Sequence, residues 1–457
     1  MTERPIVIVS NRGPVSFGWD DQGELVARRG AGGLVSGLGP LVIGTDTTWM
    51  AAAMSEADRE AASAGVIEAE GFRVQAVSVP AEPYRMAYDV IANSTLWFTY
   101  HGMFDRPLRP RFDRRWREAW QAYRDVNQAF ADAVAEAAPA DAVVLVQDLH
   151  LALVGPALAR PRPDVTAVHF SHTPFPGPDD LSVLPDDVAE ELLLGMTGHH
   201  ACGFHTARWQ AAFDASCEAV LGRRGRSFVS ALSSDPDDIE AVAASPAAQA
   251  ARADLDELLG DRAFIARVDR IELSKNLLRG FEAFADLLDH HPRWRGNVVF
   301  GAFVYPSREG LPEYLAYRQQ VETAAEEINR RWATAEWTPV LLDTSDDFPR
   351  SVAALTRYDV LLVNPIRDGL NLVAKEGALV NDRDGVLCLS PEAGAWAELG
   401  ETSVRVHPYD VAGTADALDS ALSMSVDDRR AQAEARRAIV AARTPADWLA
   451  EQLAAAR

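Results

Sequence analysis

Cysteine is scarce in this chain, basic residues are outnumbered, and no long apolar run occurs. Three thiols in 457 residues, Cys202, Cys217 and Cys388, are too few and too scattered for a disulfide framework or a thiolate metal cluster. The natural reading is a reducing, cytoplasmic setting. Against 67 Asp and Glu stand 44 Lys and Arg, a net charge of −23. Neutralising a polynucleotide takes a surplus of cations, so nucleic acid is not expected as a partner, and any phosphorylated ligand has to be met by cations concentrated locally. No apolar run reaches the ~20 residues of a membrane helix. The segment from Met1 into Ile6-Val-Ile-Val-Ser10 has no basic leader with a long apolar core, so neither membrane nor export is expected. His199-His200 and His290-His291 lack a carboxylate or thiolate at ligand spacing, and Asp382-Arg-Asp384 reads as a solvated loop. No metal and no cofactor is expected.

What is present is the balance of a globular protein, 48% hydrophobic and 24% charged, long enough for two large domains with separate cores. Short apolar runs alternate with longer amphipathic segments. The clearest strands of the first half cover 6–10, 142–147 and 165–171, with a helix over 114–138 and a strand-rich piece over 49–79. In the second half, strands over 264–268, 297–303, 340–343, 360–364 and 386–390 alternate with helices. Such alternation is the pattern of parallel βαβ units, so the expected fold is α/β with two doubly wound sheets. The polar cluster Ser233-Ser-Asp-Pro-Asp-Asp238 marks the boundary, and a last helical stretch over 427–456 is long enough to return to the first domain. Ligands of open α/β sheets sit beyond the carboxyl ends of the strands, so chemistry is expected in a cleft between the domains.

Two strand-to-helix turns carry the chemistry. Asp359-Val-Leu-Leu-Val-Asn364 reads as a buried strand, Gly369 permits a sharp turn, and the residues from Asn371 open a helix. The amides of a first helical turn have no intrahelical partner and lie at the positive end of the dipole, where a diphosphate is stabilised without a metal. Glu376, further along, can accept from ribose hydroxyls. In the second turn, Phe264-Ile-Ala-Arg-Val-Asp-Arg-Ile-Glu-Leu-Ser-Lys-Asn276, an apolar strand ends in Arg270 and Lys275. A guanidinium fork and an ammonium five residues apart can neutralise a diphosphate from two directions.

These turns, taken with Val9-Ser-Asn-Arg12, Gly32-Gly-Leu34, Asn93-Ser-Thr-Leu-Trp97, Gln147-Asp148, His172-Thr-Pro-Phe-Pro176, Gly203-Phe-His-Thr206, Pro306-Ser-Arg308 and Arg367-Asp-Gly-Leu-Asn-Leu-Val-Ala-Lys-Glu376 in that order, give a chain that resembles the trehalose-6-phosphate synthase family over nearly its whole length. The resemblance implies a retaining glycosyltransferase of two Rossmann-like domains (GT-B type), moving glucose from a nucleoside diphosphate glucose to glucose 6-phosphate. It implies an acceptor-binding domain over 1–235, a nucleotide-sugar-binding domain over 236–430, and a C-terminal helix over 431–457 packing back on the first. Arg270, Lys275, Asp368 and His172 match catalytic positions, His172 as a positioner of the transferred sugar. Gly32, Gly33, Asn371, Leu372, Val373 and Glu376 match donor-binding positions. Arg12, Tyr88 and Arg308 match ligands of the acceptor's phosphate, and Trp49 and Asp148 those of its ring. Partners are then a nucleotide sugar and a sugar phosphate, with a homo-oligomer allowed.

The chain also departs from the family's pattern. Arg-Leu-Asp-Tyr-x-Lys-Gly reads Arg270-Ile-Glu-Leu-Ser-Lys-Asn276 here, where Asn in place of Gly can keep a left-handed backbone. Phe-Pro-Ile-Gly-Ile-Asp is replaced by Val229-Ser-Ala-Leu-Ser-Ser-Asp235, the Trp-x-Gly-Trp loop reads Trp49-Met-Ala-Ala, and the Tyr-Tyr pair reads Ala87-Tyr88. Lys-Asn and Trp-x-Ala also resemble validoxylamine-phosphate synthases, which join cyclitols. Such a relative, a glucosylglycerol-phosphate synthase, and a sugar-phosphate-binding regulator without turnover are the other readings.

Overall fold

The computed structural model describes residues 4–30 and 33–457. The chain divides into two compact units, the first made of Met1–Leu232 with Pro445–Arg457 and the second of Ser233–Thr444. The strands are β1 (Ile6–Ser10), β2 (Val15–Trp19), β3 (Leu25–Arg29), β4 (Thr48–Ala52), β5 (Val66–Ala69), β6 (Phe72–Val77), β7 (Val143–Gln147), β8 (Thr166–Ser171), β9 (Ala201–Phe204), β10 (Ser227–Val229), β11 (Ala263–Ile271), β12 (Val298–Pro306), β13 (Val340–Asp343), β14 (Val360–Val363), β15 (Val386–Leu389) and β16 (Val404–Arg405).

In the first unit, eight strands form one sheet in the order β10-β9-β8-β7-β1-β4-β6-β5, parallel except for the β5/β6 edge. β7 reads Val-Val-Leu-Val-Gln and is buried at every position. Strands covered by helices on both faces need this continuous apolar run rather than alternation. β2 and β3 pair as a separate antiparallel hairpin, which no periodicity in the sequence had marked. In the second unit, β13-β12-β11-β14-β15-β16 form an all-parallel sheet. Its core joins β11 and β12 to Phe281, Phe284, Leu287 and Leu288 on the helix Leu277–His290. Both sheets belong to the α/β class read from the sequence.

The last helical stretch differs from its expected form. It is two helices, Val426–Ala441 and Pro445–Ala455, and the first of them stays in the second unit. Pro445 has no N–H to continue the first helix but fits the first position of the next. The part that packs in the first unit is therefore shorter than 431–457. Its Trp448 is fully buried, with its ring 5.0 Å from Phe170 and 5.6 Å from His172. Replacing Trp448 by Ala leaves a large cavity, and the expected cost is about 3–5 kcal/mol. Calorimetry checks this: the thermal transition of the first unit should drop while that of the second stays in place, and an unmoved first transition would refute the packing role.

Candidate active site

In the second unit, β11 and β14 are parallel neighbours, with Ile265 beside Val360 and Ala266 beside Leu361. This brings the turns after both strands together although they lie 93 residues apart. Lys275 Nζ donates to Asp368 Oδ2 at 2.6 Å and lies 3.3 Å from Asp269 Oδ1. Burial alone would lower the lysine's pKa, but Asp368 and Asp269 outweigh it and the ammonium is held well above its ordinary value. Asp269 is pushed up by its own burial, with Lys275 and Arg267 opposing the shift. Arg267, 1% exposed, donates to Asn364 Oδ1 and to the Lys275 carbonyl, fixing the backbone of the turn. Asn276 takes φ 63°, so the left-handed position expected there is filled by Asn.

Arg270 remains partly exposed, with Nη1 3.1 Å from Glu272 Oε1. The same oxygen lies 2.6 Å from Nη1 of Arg308, so Arg308 sits beside Arg270. Burial would raise the pKa of Glu272, yet Arg270 and Arg308 overcome it and bring it down to about 2.

The turn after β14 is built differently from its expected form. Asn371, not Gly369, is left-handed, with φ 79°. Its side chain caps the helix Leu372–Val380 by accepting from Ala374 N at 3.1 Å and donates to Asp368 Oδ2 at 3.1 Å. Glycine is required instead at 394, where a Cβ would lie 2.1 Å from the Gly369 carbonyl oxygen. Leu372 and Val373 open the helix. Lys375 is turned into the interior, paired with Glu398 at 2.6 Å. Glu376 is partly buried, no partner contacts its carboxyl among the described residues, and burial raises its pKa to about 7.

In the first unit, Asp148 follows β7 with φ 69° and ψ 172°, a region otherwise open almost only to glycine. Strain of this kind, about 1–3 kcal/mol, persists only where neighbours over-determine it. Here Asp148 N donates to the Phe170 carbonyl at 2.7 Å, His169 Nε2 lies 3.1 Å from the Asp148 carbonyl, and His172 N donates to Asp148 Oδ1 at 3.2 Å. Burial works against the ionised Asp148, but His172 and His150 prevail and its pKa is lowered. Tyr88, in a stretch of π-helix over Met86–Leu96, receives a 3.3 Å bond from Arg12 Nη2 and stacks on His150 and on Tyr84. The ring packed on Tyr88 thus comes from one turn earlier rather than from position 87.

His172 lies in a directional chain of hydrogen bonds. Leu232 N donates to His205 Nδ1 at 3.3 Å, which leaves Nε2 of His205 as the donor to His172 Nδ1 at 3.2 Å. His172 Nε2 then donates to Gln147 Oε1 at 2.9 Å, and Gln147 Nε2 to Gln452 Oε1 at 3.3 Å. Both ring nitrogens are occupied, and burial lowers the pKa of His172 while Asp148 opposes the shift. The ring is neutral and has no free nitrogen to act as a base.

The family model of glycosyltransferase family 20 matches residues 4–457. The chain belongs to glycosyltransferase family 20. Among relatives it is 32% identical to a trehalose-6-phosphate synthase of Mycobacterium sp. strain KMS, over 97% of this chain and 93% of that one. It is 33% identical to a bifunctional trehalose-6-phosphate synthase/phosphatase of Thermoproteus tenax, covering 93% of this chain but only 59% of that protein. A UDP-forming alpha,alpha-trehalose-phosphate synthase of Burkholderia xenovorans, solved with glucose-6-phosphate, superposes with a TM-score of 0.86 at 28% identity, over 98% of this chain and 99% of that one. The two α/β units are those of a GT-B glycosyltransferase.

Within this family 20 enzyme, the residues singled out in the sequence fall into two groups. In the second unit Arg270 and Arg308 are ion-paired through Glu272, Lys275 and Asn371 bond to Asp368, and the two sets are within electrostatic range of each other, with Glu376 on the helix that Asn371 caps. Arg12, Tyr88, Asp148 and His172 are linked through His150 in the first. Gly33 opens the helix Gly33–Val42, and Gly32 lies outside the described residues. Trp49 is a correction. It is 1% exposed in β4 and its indole N–H donates to Ser10 Oγ at 2.8 Å, so it braces the strand leading to Arg12 and offers no face to a ligand. Asp269, Glu272, His150 and Gln452 were not singled out, and only Glu272 and Asp269 stood inside a quoted motif. Among the described residues no helix is long and apolar enough to cross a membrane.

His169 and His199, both buried, and His172, which is half-buried, have lowered pKa values, to about 4 for His169 and about 3 for His199, with desolvation the main cause in each. The unfolded chain takes up protons near 6.5 and the folded one does so only at lower pH. The stability they allow is therefore complete above pH 6.5 and is lost as pH falls below it. Histidine-selective NMR should find His169 and His199 neutral at pH 6 and His172 titrating below its ordinary 6.5, with its proton on Nε2 in the neutral form. A His172 that titrates near 6.5 would contradict the bonded chain.

Proposed function

We propose that this enzyme transfers glucose, with retention, from UDP-glucose to glucose 6-phosphate, giving trehalose 6-phosphate. The observation that carries the reading is the cluster in which Arg270 and Lys275 stay cationic beside Asp368 at adjacent strand ends, in a chain whose relatives along almost all of its length are named as trehalose-6-phosphate synthases. Breaking the bond between the anomeric carbon and the phosphate oxygen places negative charge on the leaving diphosphate. Arg270, Lys275 and the amides at the start of the helix Leu372–Val380 are assigned to stabilise that charge. Asp368 is assigned to the glucose hydroxyls, and the carboxylate of Glu376 to the ribose hydroxyls. Gly32 and Gly33 belong to the donor set by the same resemblance.

The acceptor's phosphate is assigned to Arg12, Tyr88 and Arg308, and its ring to Asp148. Charge-assisted bonds to a dianion are roughly twice as strong as neutral ones, which suits two guanidinium groups and a phenol. The occupied nitrogens of His172 favour a positioning role for it. In a same-face reaction the acceptor hydroxyl passes its proton to the departing phosphate oxygen, and the protein supplies geometry and charge.

Product mass after incubation with UDP-glucose and glucose 6-phosphate tests the reading. A disaccharide phosphate is expected, at a rate ~10²–10³-fold lower in Lys275→Ala. No product from these substrates would reject the reading, and the same assay with cyclitol phosphate or glycerol phosphate as acceptor would identify a sibling activity.

Glu376 gives a second expectation. With its pKa raised to about 7 by burial, the carboxylate form grows as pH rises through that value. UDP-glucose affinity should strengthen up to about tenfold between pH 6 and 8, and Glu376→Gln should flatten the profile. A flat profile in the unmodified protein would remove Glu376 from the donor set.

A further inference from the structure

Glu272 directly follows β11 and is fully buried, and a single one of its oxygens serves two cations. Oε1 lies 3.1 Å from Arg270 Nη1 and 2.6 Å from Arg308 Nη1, and accepts from Ser307 Oγ at 3.0 Å. Oε2 is buried and has no hydrogen-bond partner among the described residues. A buried carboxylate with one oxygen unsatisfied is costly, and apolar replacement of buried ionic groups is often neutral or stabilising. Stability alone does not explain the residue. What the carboxylate does is join two strand ends, since Arg270 belongs to β11 and Arg308 follows β12, with φ 49° at Arg308. Arg308 is steadied further by Tyr314, whose hydroxyl accepts from Nη1 at 3.3 Å and whose ring lies 5.5 Å from the guanidinium carbon.

We propose that Glu272 is a positioning residue that yokes two anion subsites, holding Arg270 for the donor's diphosphate and Arg308 for the acceptor's phosphate at a fixed separation, while its charge weakens ground-state binding of both. The proposal rests on the function read above. Two guanidinium groups this close repel each other, and the carboxylate between them offsets the repulsion. Each incoming anion then competes with Glu272 for its fork. Affinity given up in the ground state is exchanged for geometry that is already in place when charge develops on the leaving group.

Glu272→Gln tests this, because it keeps the shape and the accepting oxygen and removes the charge. UDP and inorganic phosphate are the probes in calorimetric titrations. Each should bind about threefold or more tightly, while kcat with UDP-glucose and glucose 6-phosphate falls about tenfold or more. Glu272→Asp, which restores the charge, should return both dissociation constants to within about twofold of the unmodified enzyme. A loss of folded protein would lower the active fraction and leave those constants alone, so tighter binding with slower turnover is not a folding artefact. Unchanged or weaker binding of both probes to folded Glu272→Gln overturns the proposal.

If that variant does not fold, Arg308→Gln reads the same link from the other side. Among the described residues Glu272 then keeps Arg270 as its ion partner, and UDP should bind about threefold or more weakly; an unchanged UDP affinity overturns the proposal. The titrations need no turnover. Failure of the unmodified enzyme to make a disaccharide phosphate would therefore sink the functional reading while the binding results still decide the role of Glu272.

Discussion

Charge kept alive out of water is the constraint on which the second unit depends. An ammonium or guanidinium taken from water loses several kcal/mol of solvation unless carboxylates surround it in good geometry. Lys275, with its side chain 11% exposed, is bracketed by Asp269 and Asp368. Arg267, almost wholly buried, is met by Asp269, Asn364 and a backbone carbonyl. These partners come from β11 and from the turn after β14. The parallel register of the two strands therefore decides whether the charges can exist there at all. A one-residue slip would turn Arg267 and Asp269 to the opposite face of the sheet and strand the lysine.

The first unit meets a related demand with neutral groups. His169 and His199 are held uncharged by burial, and the polarity of one hydrogen-bond chain, begun by the Leu232 amide, fixes the tautomers of His205 and His172 and reaches Gln452 on the last helix. The bonds of such a chain polarise one another, which favours the one set of tautomers. The strained backbone of Asp148 belongs to the same construction, held by Phe170, His169 and His172. The second unit thus presents cations whose charge is secured by carboxylates, and the first presents oriented neutral groups together with Asp148 and Arg12.

Legibility followed the range of the physics. The buried strands 142–147 and 360–364 were readable because parallel strands covered on both faces need uninterrupted apolar runs. The β2/β3 hairpin was not, since its residues Val15–Trp19 and Leu25–Arg29 are exposed or half-buried, none of them in the core, and carry no core signal. Arg270, Lys275 and Asp368 were readable as cations and an anion at strand ends. Glu272 passed as a neighbour of no consequence, because its meaning lies in Arg308, 36 residues away. Trp49 was assigned to a ligand on a motif, and its burial against Ser10 shows a brace instead.

The sequence by itself determined the α/β class, the division into two parts and the local chemistry of each turn, because periodicity, helix caps and turn residues act over a few positions. It also determined that Asn276 could take the left-handed place usually left to glycine, a property of one side chain and its own backbone. Only the tertiary structure decided which charges share a carboxylate, which nitrogen of His172 carries the proton, and where the last helical stretch breaks between the units. Those depend on strand register and on groups dozens to hundreds of residues apart, and the electrostatics of a buried group is set by whatever the fold brings within a few ångströms of it.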